Sequence, residues 1–189
     1  EAMDSEIGRL LNSMSKETRD NTIIIFIGDN GTPPEVAQEY PRSRTKWTLY
    51  EGGVNIPMII SGKNVNRFNV SENALIGSVD LFATIADLAG TGIIKKNDSK
   101  SFKELLVLKN AAKSKYSYTE VWNRPNTIES DYSIRNKSHK YIYYSNKEEE
   151  FYNLNLDPLE SLNLLKSNLS INNQAIKDSL INELDRIRN

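Results

Sequence analysis

Asp29 and Asn30 stand side by side just after a β-branched and aromatic run, Thr22-Ile23-Ile24-Ile25-Phe26-Ile27. A carboxylate next to an amide carbonyl offers two hard oxygen donors, which suit Ca²⁺ or Mg²⁺ rather than a soft metal. Gly31 lets the backbone turn sharply after them. The same three residues also fit an Asx turn that ends a strand and holds no metal, and residue type alone leaves both open. Lys46 follows 17 residues after Asp29. Its ammonium is a compact charge able to hold a sulfate or phosphate oxygen, although a single lysine is by default a solvated surface group. His139 is the one histidine in the chain. It is the residue type best suited to proton transfer near neutral pH. It lies, however, in Lys137-Ser138-His139-Lys140, which reads as a hairpin turn, so a Ser-His-Asp mechanism is set aside.

These residues need elements to hold them. The run Thr22–Ile27 fits a strand buried on both faces, as in a parallel sheet under helices. Gly28-Asp29-Asn30-Gly31 ends it as a loop. The stretch from Thr32 to Thr45 holds three prolines and reads as irregular. Glu51-Gly52-Gly53 reads as a tight turn, and Val54 to Ile60 as a second strand that Pro57 confines to an edge or bulge. Ser78 is a plausible N-cap for a helix to about Ala89, with Leu81, Phe82, Ile85 and Leu88 on its apolar face and Gly90 just past its end. Strand, helix and strand in this order give an α/β layer.

Beyond residue 110 or so the pattern changes. Tyr116–Val121, Tyr132–Arg135, Tyr141–Tyr144 and Phe151–Leu154 are short and strand-like, and Asp157-Pro158 marks a turn. Ile171 to Ile187 reads as a closing amphipathic helix with Ile176, Leu180, Leu184 and Ile187 on one face. A small antiparallel α+β subdomain follows from that order. At the other end, Met3, Ile7, Leu10, Leu11 and Met14 recur at helical spacing, so the chain starts inside an amphipathic helix and reads as a piece of something longer.

Bulk properties exclude several classes. With 24 basic and 25 acidic residues and a net charge of −1, nothing in the 189 residues resembles a nucleic-acid surface. No apolar run approaches the roughly 18 residues needed to span a bilayer. There is no cysteine. A mechanism that needs a cysteine, or a residue made from one, therefore cannot be completed by this chain.

Four further segments extend the pattern. Ile23-Ile24-Ile25-Phe26-Ile27-Gly28-Asp29-Asn30-Gly31 is similar to the strand and Asp-Asn-Gly of the sulfatase family, within the alkaline-phosphatase-like superfamily. KWTLYEGGVNIP, Lys46 through Pro57, resembles that family's Lys-x-x-x-x-Glu-Gly-Gly-x-x-x-Pro segment. Val79 through Gly90 resembles its "DL-PT-LDLAG" helix, and Phe151 through Glu160 its "LYDL-DP-E" segment. Ala2-Met3-Asp4 also matches the helix before the strand.

The resemblance implies an α/β fold: part of an alkaline-phosphatase-like sheet-and-helix domain over residues 1–110, then a small antiparallel α+β subdomain over residues 111–189. It implies that Asp29 and Asn30 are two ligands of a divalent metal, usually Ca²⁺. It implies that Lys46 is a catalytic-site residue that contacts the substrate sulfate, and that Glu51-Gly52-Gly53 is structural. The family's nucleophile, a formylglycine made from Cys or Ser in a Cys/Ser-x-Pro-Ser-Arg signature, would lie upstream of this chain. Pro41-Arg42-Ser43-Arg44 does not supply it: Glu39 stands where Cys or Ser is required and Arg42 where Ser is required. The expected partners are a sulfated small molecule or polysaccharide and the missing N-terminal part of the enzyme. A periplasmic, secreted or lysosomal location is implied by the family only. The alternatives are a phosphodiesterase, phosphonate hydrolase or phosphotransferase of the same superfamily, and a non-catalytic scaffold module.

Overall fold

The computed structural model describes residues 1–109, 111, 114–122 and 130–188. Within it, chain contacts gather into two units. One comprises Glu1–Ile27, Pro57–Glu72 and Val79–Ala111; the other comprises Gly28–Ile56, Asn73–Ser78 and Ala112–Asn189. The mixed α/β class and the C-terminal antiparallel sheet expected from the sequence are both present.

The first unit starts with helices α1 (Ala2–Ser13) and α2 (Lys16–Asp20). Ser15 caps α2, its hydroxyl accepting the Thr18 N–H at 3.1 Å. Strands β1 (Ile23–Ile27) and β2 (Met58–Gly62) follow, separated in sequence by α3 (Glu51–Val54), which belongs to the second unit. The two strands pair antiparallel, Ile25 opposite Ile60, as the only sheet partners of each other among the described residues. This corrects the parallel setting expected for the isoleucine run. Each residue of β1 is only half-buried, and hydrophobicity selects strand without choosing the partner's direction. Strand β2 also starts later than expected, at Met58, since Pro57 has no N–H for the ladder.

Helix α4 (Asp80–Leu88) has no side-chain cap, Val79 rather than Ser78 being its N-cap residue. Gly90, at φ 75°, terminates it as expected. The face it buries is not the apolar one. Ala83 and Thr84 are fully buried, whereas Phe82 and Ile85 are 57% and 53% exposed. The reason is polar: Thr84 Oγ1 accepts the Phe102 N–H at 3.0 Å, Asp80 Oδ1 accepts the Lys100 N–H at 2.9 Å, and Ser99 Oγ accepts the Ala83 N–H at 2.9 Å. These bonds fasten α4 to the small hairpin of β3 (Lys95–Lys96) and β4 (Ser99–Lys100). Phe102, Leu105 and Leu106 complete this core. Met3 and Leu10 of α1 and Ile59 of β2 are also more than half exposed, so the apolar stripe read in α1 is only partly covered, at Ile7, Leu11 and Met14.

The second unit is built on a four-stranded antiparallel sheet in the order β5 (Ser117–Val121), β6 (Asp131–Arg135), β7 (His139–Tyr143) and β8 (Glu149–Asn153). It is a meander, and side chains alternate between its faces. On one face Ile134, Tyr141 and Phe151 pack against Leu180 and Leu184 of the closing helix α5 (Ile171–Arg188). On the other, Ile142 and Tyr152 pack against Leu49. Both faces are covered, one by α5 and one by the segment that carries Lys46 and Glu51. Of the helical face read from sequence, Ile187 is the exception at 40% exposure.

Candidate functional site

Asp29, Asn30 and Lys46 all fall in the second unit. Asp29 is exposed and Asn30 half-buried, two and three residues past the end of β1. Backbone bonds fasten their loop to the rest. Gly31 N–H donates to Gly53 O at 3.1 Å, Thr32 N–H to Gly52 O at 3.2 Å, and Lys46 N–H to Thr32 O at 2.9 Å. The Asp-Asn-Gly and Glu-Gly-Gly segments, 20 residues apart in sequence, thus lie main chain against main chain.

Only glycine permits this approach. A Cβ on Gly31 would stand 2.2 Å from Gly52 O, and one on Gly52 2.3 Å from Arg44 O. The Glu51-Gly52-Gly53 turn is in fact the first part of helix α3, with Gly53 N–H bonded to Tyr50 O at 2.8 Å. This refines the turn expected there: consecutive backbone N–H groups point one way and close a helical turn instead of reversing the chain.

Lys46 is half-buried and sits inside a turn closed by Thr48 N–H to Thr45 O at 3.1 Å. Thr45 is fully buried, its hydroxyl bonded to Arg42 O at 2.8 Å, so the turn has a fixed base. The Lys46 ammonium lies 5.2 Å from the centre of the Trp47 ring.

Beneath this loop is a buried charge network that the sequence reading did not anticipate. Lys140, 1% exposed, places Nζ 2.7 Å from Glu51 Oε1 and 2.9 Å from Glu160 Oε1, and donates to Leu49 O at 2.9 Å. Glu160 Oε2 in turn accepts the Glu51 N–H at 2.6 Å. Arg135 pairs with the second oxygen of Glu51. Burial pushes the Glu51 carboxyl up, but Lys140 and Arg135 outweigh it and hold the group below the ordinary glutamate value. Glu160 has one cation against stronger burial and the neighbouring Glu51 charge, so its carboxyl is raised. Isolated charges are not left in such a place, because an unpaired buried ion is very costly. The network therefore anchors Leu49 to Glu51, and with them the loop that ends in Lys46. A hint was available in sequence: Glu51 and Glu160 both lie in motif segments without a chemical task of their own.

His139 is not in the hairpin turn. It is the first residue of β7 and 4% exposed. Its Nδ1 lies 2.9 Å from Ser138 Oγ and its ring stacks on Phe151 at 5.3 Å between centres. Burial lowers its pKa from the ordinary histidine value, although Asn173 acts in the other direction. It is a packed core residue of the C-terminal sheet.

As to a metal, the donors at hand are the carboxylate of Asp29 and the amide oxygen of Asn30. Among the described residues no three or more of His, Cys, Asp and Glu gather into a metal-binding cluster. Two adjacent hard oxygens on an anchored loop fit part of a shell for Ca²⁺, which takes about six to eight oxygens.

Residues 1–91 match the sulfatase family model. A sulfatase from Formosa agariphila is 28% identical over 90% of this chain, and the match covers 35% of that protein. The chain thus spans about a third of the length of the curated relatives it matches. Among solved structures, BT4656 in complex with its substrate D-glucosamine-2-N,6-O-disulfate superposes with a TM-score of 0.81 at 26% identity, over 99% of this chain and 38% of that one. The phosphonate monoester hydrolase of Agrobacterium radiobacter shares the fold at a TM-score of 0.72 and 18% identity, over 98% of this chain and 38% of that one.

Proposed function

We propose that this chain, whose residues 1–91 match the sulfatase family model, supplies part of a sulfuric ester hydrolase, with Lys46 contacting the sulfate and Asp29 and Asn30 as metal donors. The observation that carries this reading is the backbone stitching of Gly31 to Gly53 and of Lys46 to Thr32. It joins the main chain of the loop that bears Asp29 and Asn30 to that of the loop that bears Lys46, which supports their acting on one tetrahedral oxyanion. Lys46 would bind a sulfate oxygen and orient the ester. A divalent cation held by Asp29, Asn30 and further oxygens would act as a Lewis acid on the sulfate oxygens. The formylglycine nucleophile belongs to a segment upstream. Residues 1–110 are proposed as the C-terminal part of the sulfatase α/β domain and residues 111–189 as a small C-terminal α+β subdomain.

A phosphonate or phosphodiester hydrolase is the second reading, favoured by the shared fold. Sulfate and phosphonate offer similar oxygen geometry to a lysine. The adjacent Asp-Asn pair, rather than an Asp-His pair, points to one metal and to sulfate.

Two measurements test the proposal. Coding DNA upstream of Glu1 is expected to encode Cys or Ser in a Cys/Ser-x-Pro-Ser-Arg context; a different nucleophile there would move the assignment to phosphoryl chemistry. The purified 189-residue chain is expected to release no nitrophenolate from p-nitrophenyl sulfate with added Ca²⁺. Turnover at an ordinary enzymatic rate would refute the claim that its nucleophile lies elsewhere.

A further inference from the structure

Trp47 is the oddest residue in the loop that bears Lys46. Its backbone has φ 75°, and its side chain is 81% exposed. It occupies the third position of the turn Thr45–Thr48, where that φ is the preference of glycine or asparagine. A bulky side chain in the left-handed region is a genuine outlier and persists only where the surroundings impose it. Here they do. The Lys46 N–H is bonded to Thr32 O on one side, and Thr48 Oγ1 bonds back to Thr45 O at 2.6 Å on the other. Glycine at position 47 would relieve the strain, so the indole is present for something other than folding. Water is a poor environment for it, and no aromatic neighbour stacks on it among the described residues.

Resting on the proposed sulfate contact of Lys46, we propose that Trp47 is a substrate-specificity residue: a stacking platform for the sugar ring of a sulfated saccharide. The Lys46 ammonium, 5.2 Å from the ring centre, marks where the anionic group sits. With the Lys46 ammonium over one face of an indole that is otherwise exposed, the site matches a ligand with a sulfate at one end and a C–H face next to it. A pyranose presents such a face, and its ring stacks on an indole at little conformational cost because the platform is already fixed. A sulfate on a short flexible alkyl group would use Lys46 alone.

The chain has two tryptophans, Trp47 and Trp122. Its indole N–H region in a ¹⁵N correlation spectrum therefore holds two signals, assigned with Trp47→Phe and Trp122→Phe. N-acetylglucosamine 6-sulfate is titrated against the chain, with methyl sulfate and inorganic sulfate as comparisons. The Trp47 signal is expected to shift saturably with the sulfated sugar and Trp122 to stay in place. Trp47→Ala should weaken the sugar about tenfold, Trp47→Phe should keep most of the affinity, and both should leave inorganic sulfate unchanged. Lys46→Ala should weaken all three ligands. If Lys46→Ala weakens all three while Trp47→Ala changes none, the platform is refuted and the sulfate site stands. If neither sulfate nor the sugar disturbs residues 45–48, both proposals fall.

Discussion

At the scale of single residues, the spacing of chemically able side chains and their actual surroundings part company. Asp29, Asn30 and Lys46 are candidates because their types and order carry the pattern, and all three lie on loops joined by backbone hydrogen bonds. His139 was legible as an unlikely catalyst, but for another reason than the one the sequence offers: it is buried between Ser138 and Phe151 rather than exposed in a turn. That burial has a consequence for pH. The folded state holds His139 neutral to a lower pH than the unfolded chain, whose histidine titrates near 6.5. The unfolded chain thus binds the proton first, and stability contributed by the neutral ring is complete above pH 6.5 and lost as pH falls toward the depressed folded value. Glu160 has the opposite sign, since a raised carboxyl favours the folded state at low pH. The comparison must therefore isolate the histidine. In urea denaturation, the stability difference between the natural chain and His139→Gln is expected to shrink as pH is lowered from 7 to 5. A difference independent of pH would show that burial of the ring does not control its titration.

At the scale of elements, glycine contacts decide how the two loops that carry the candidate residues meet. Gly31, Gly52 and Gly53 allow two loop segments to meet main chain to main chain, and the carbonyls they face are backbone atoms that cannot swing aside. Gly31→Ala is expected to force these segments apart and to cost about 1–3 kcal/mol, as overpacking does. Urea midpoints would measure it, and an unchanged midpoint would mean the loop is slack. The elements also show where periodicity misleads. The apolar positions of α4 were read correctly, yet Phe82 and Ile85 are exposed and the helix is fastened through Asp80, Thr84 and Ser99. A 3.6-residue pattern reports which face can be buried away from water; hydrogen bonds with a neighbouring segment decide which face is.

At the scale of the molecule, the two units differ in what holds them. The first leaves Met3, Leu10, Ile59, Phe82 and Ile85 more than half exposed, a distribution suited to further cover. The second is closed on both faces of its sheet and tied by the Lys140 network across 91 residues of sequence. Lys140→Met would leave Glu51 and Glu160 facing each other without their shared cation. It is expected to destabilise the chain by about 3–5 kcal/mol, the cost of breaking a buried ion pair from one side. Combining it with Glu51→Gln and Glu160→Gln should recover part of that loss, because no unpaired buried carboxylate then remains and the Arg135 guanidinium left over is partly exposed. Denaturation curves of the single and triple variants would check this, and equal losses would show the charges to be irrelevant.

The amino-acid sequence by itself determined the secondary elements of the C-terminal sheet and the closing helix, and it singled out Asp29, Asn30 and Lys46 as candidates. Each is set by local periodicity, by turn residues or by the order of motif residues, information that lies within a few tens of positions. Tertiary structure alone decided the antiparallel partner of β1, the buried face of α4, the strained backbone of Trp47 and the role of Lys140. Those depend on groups brought together from distant parts of the chain, where burial makes an unpaired charge or an unsatisfied N–H costly enough to choose among arrangements that sequence pattern leaves equivalent.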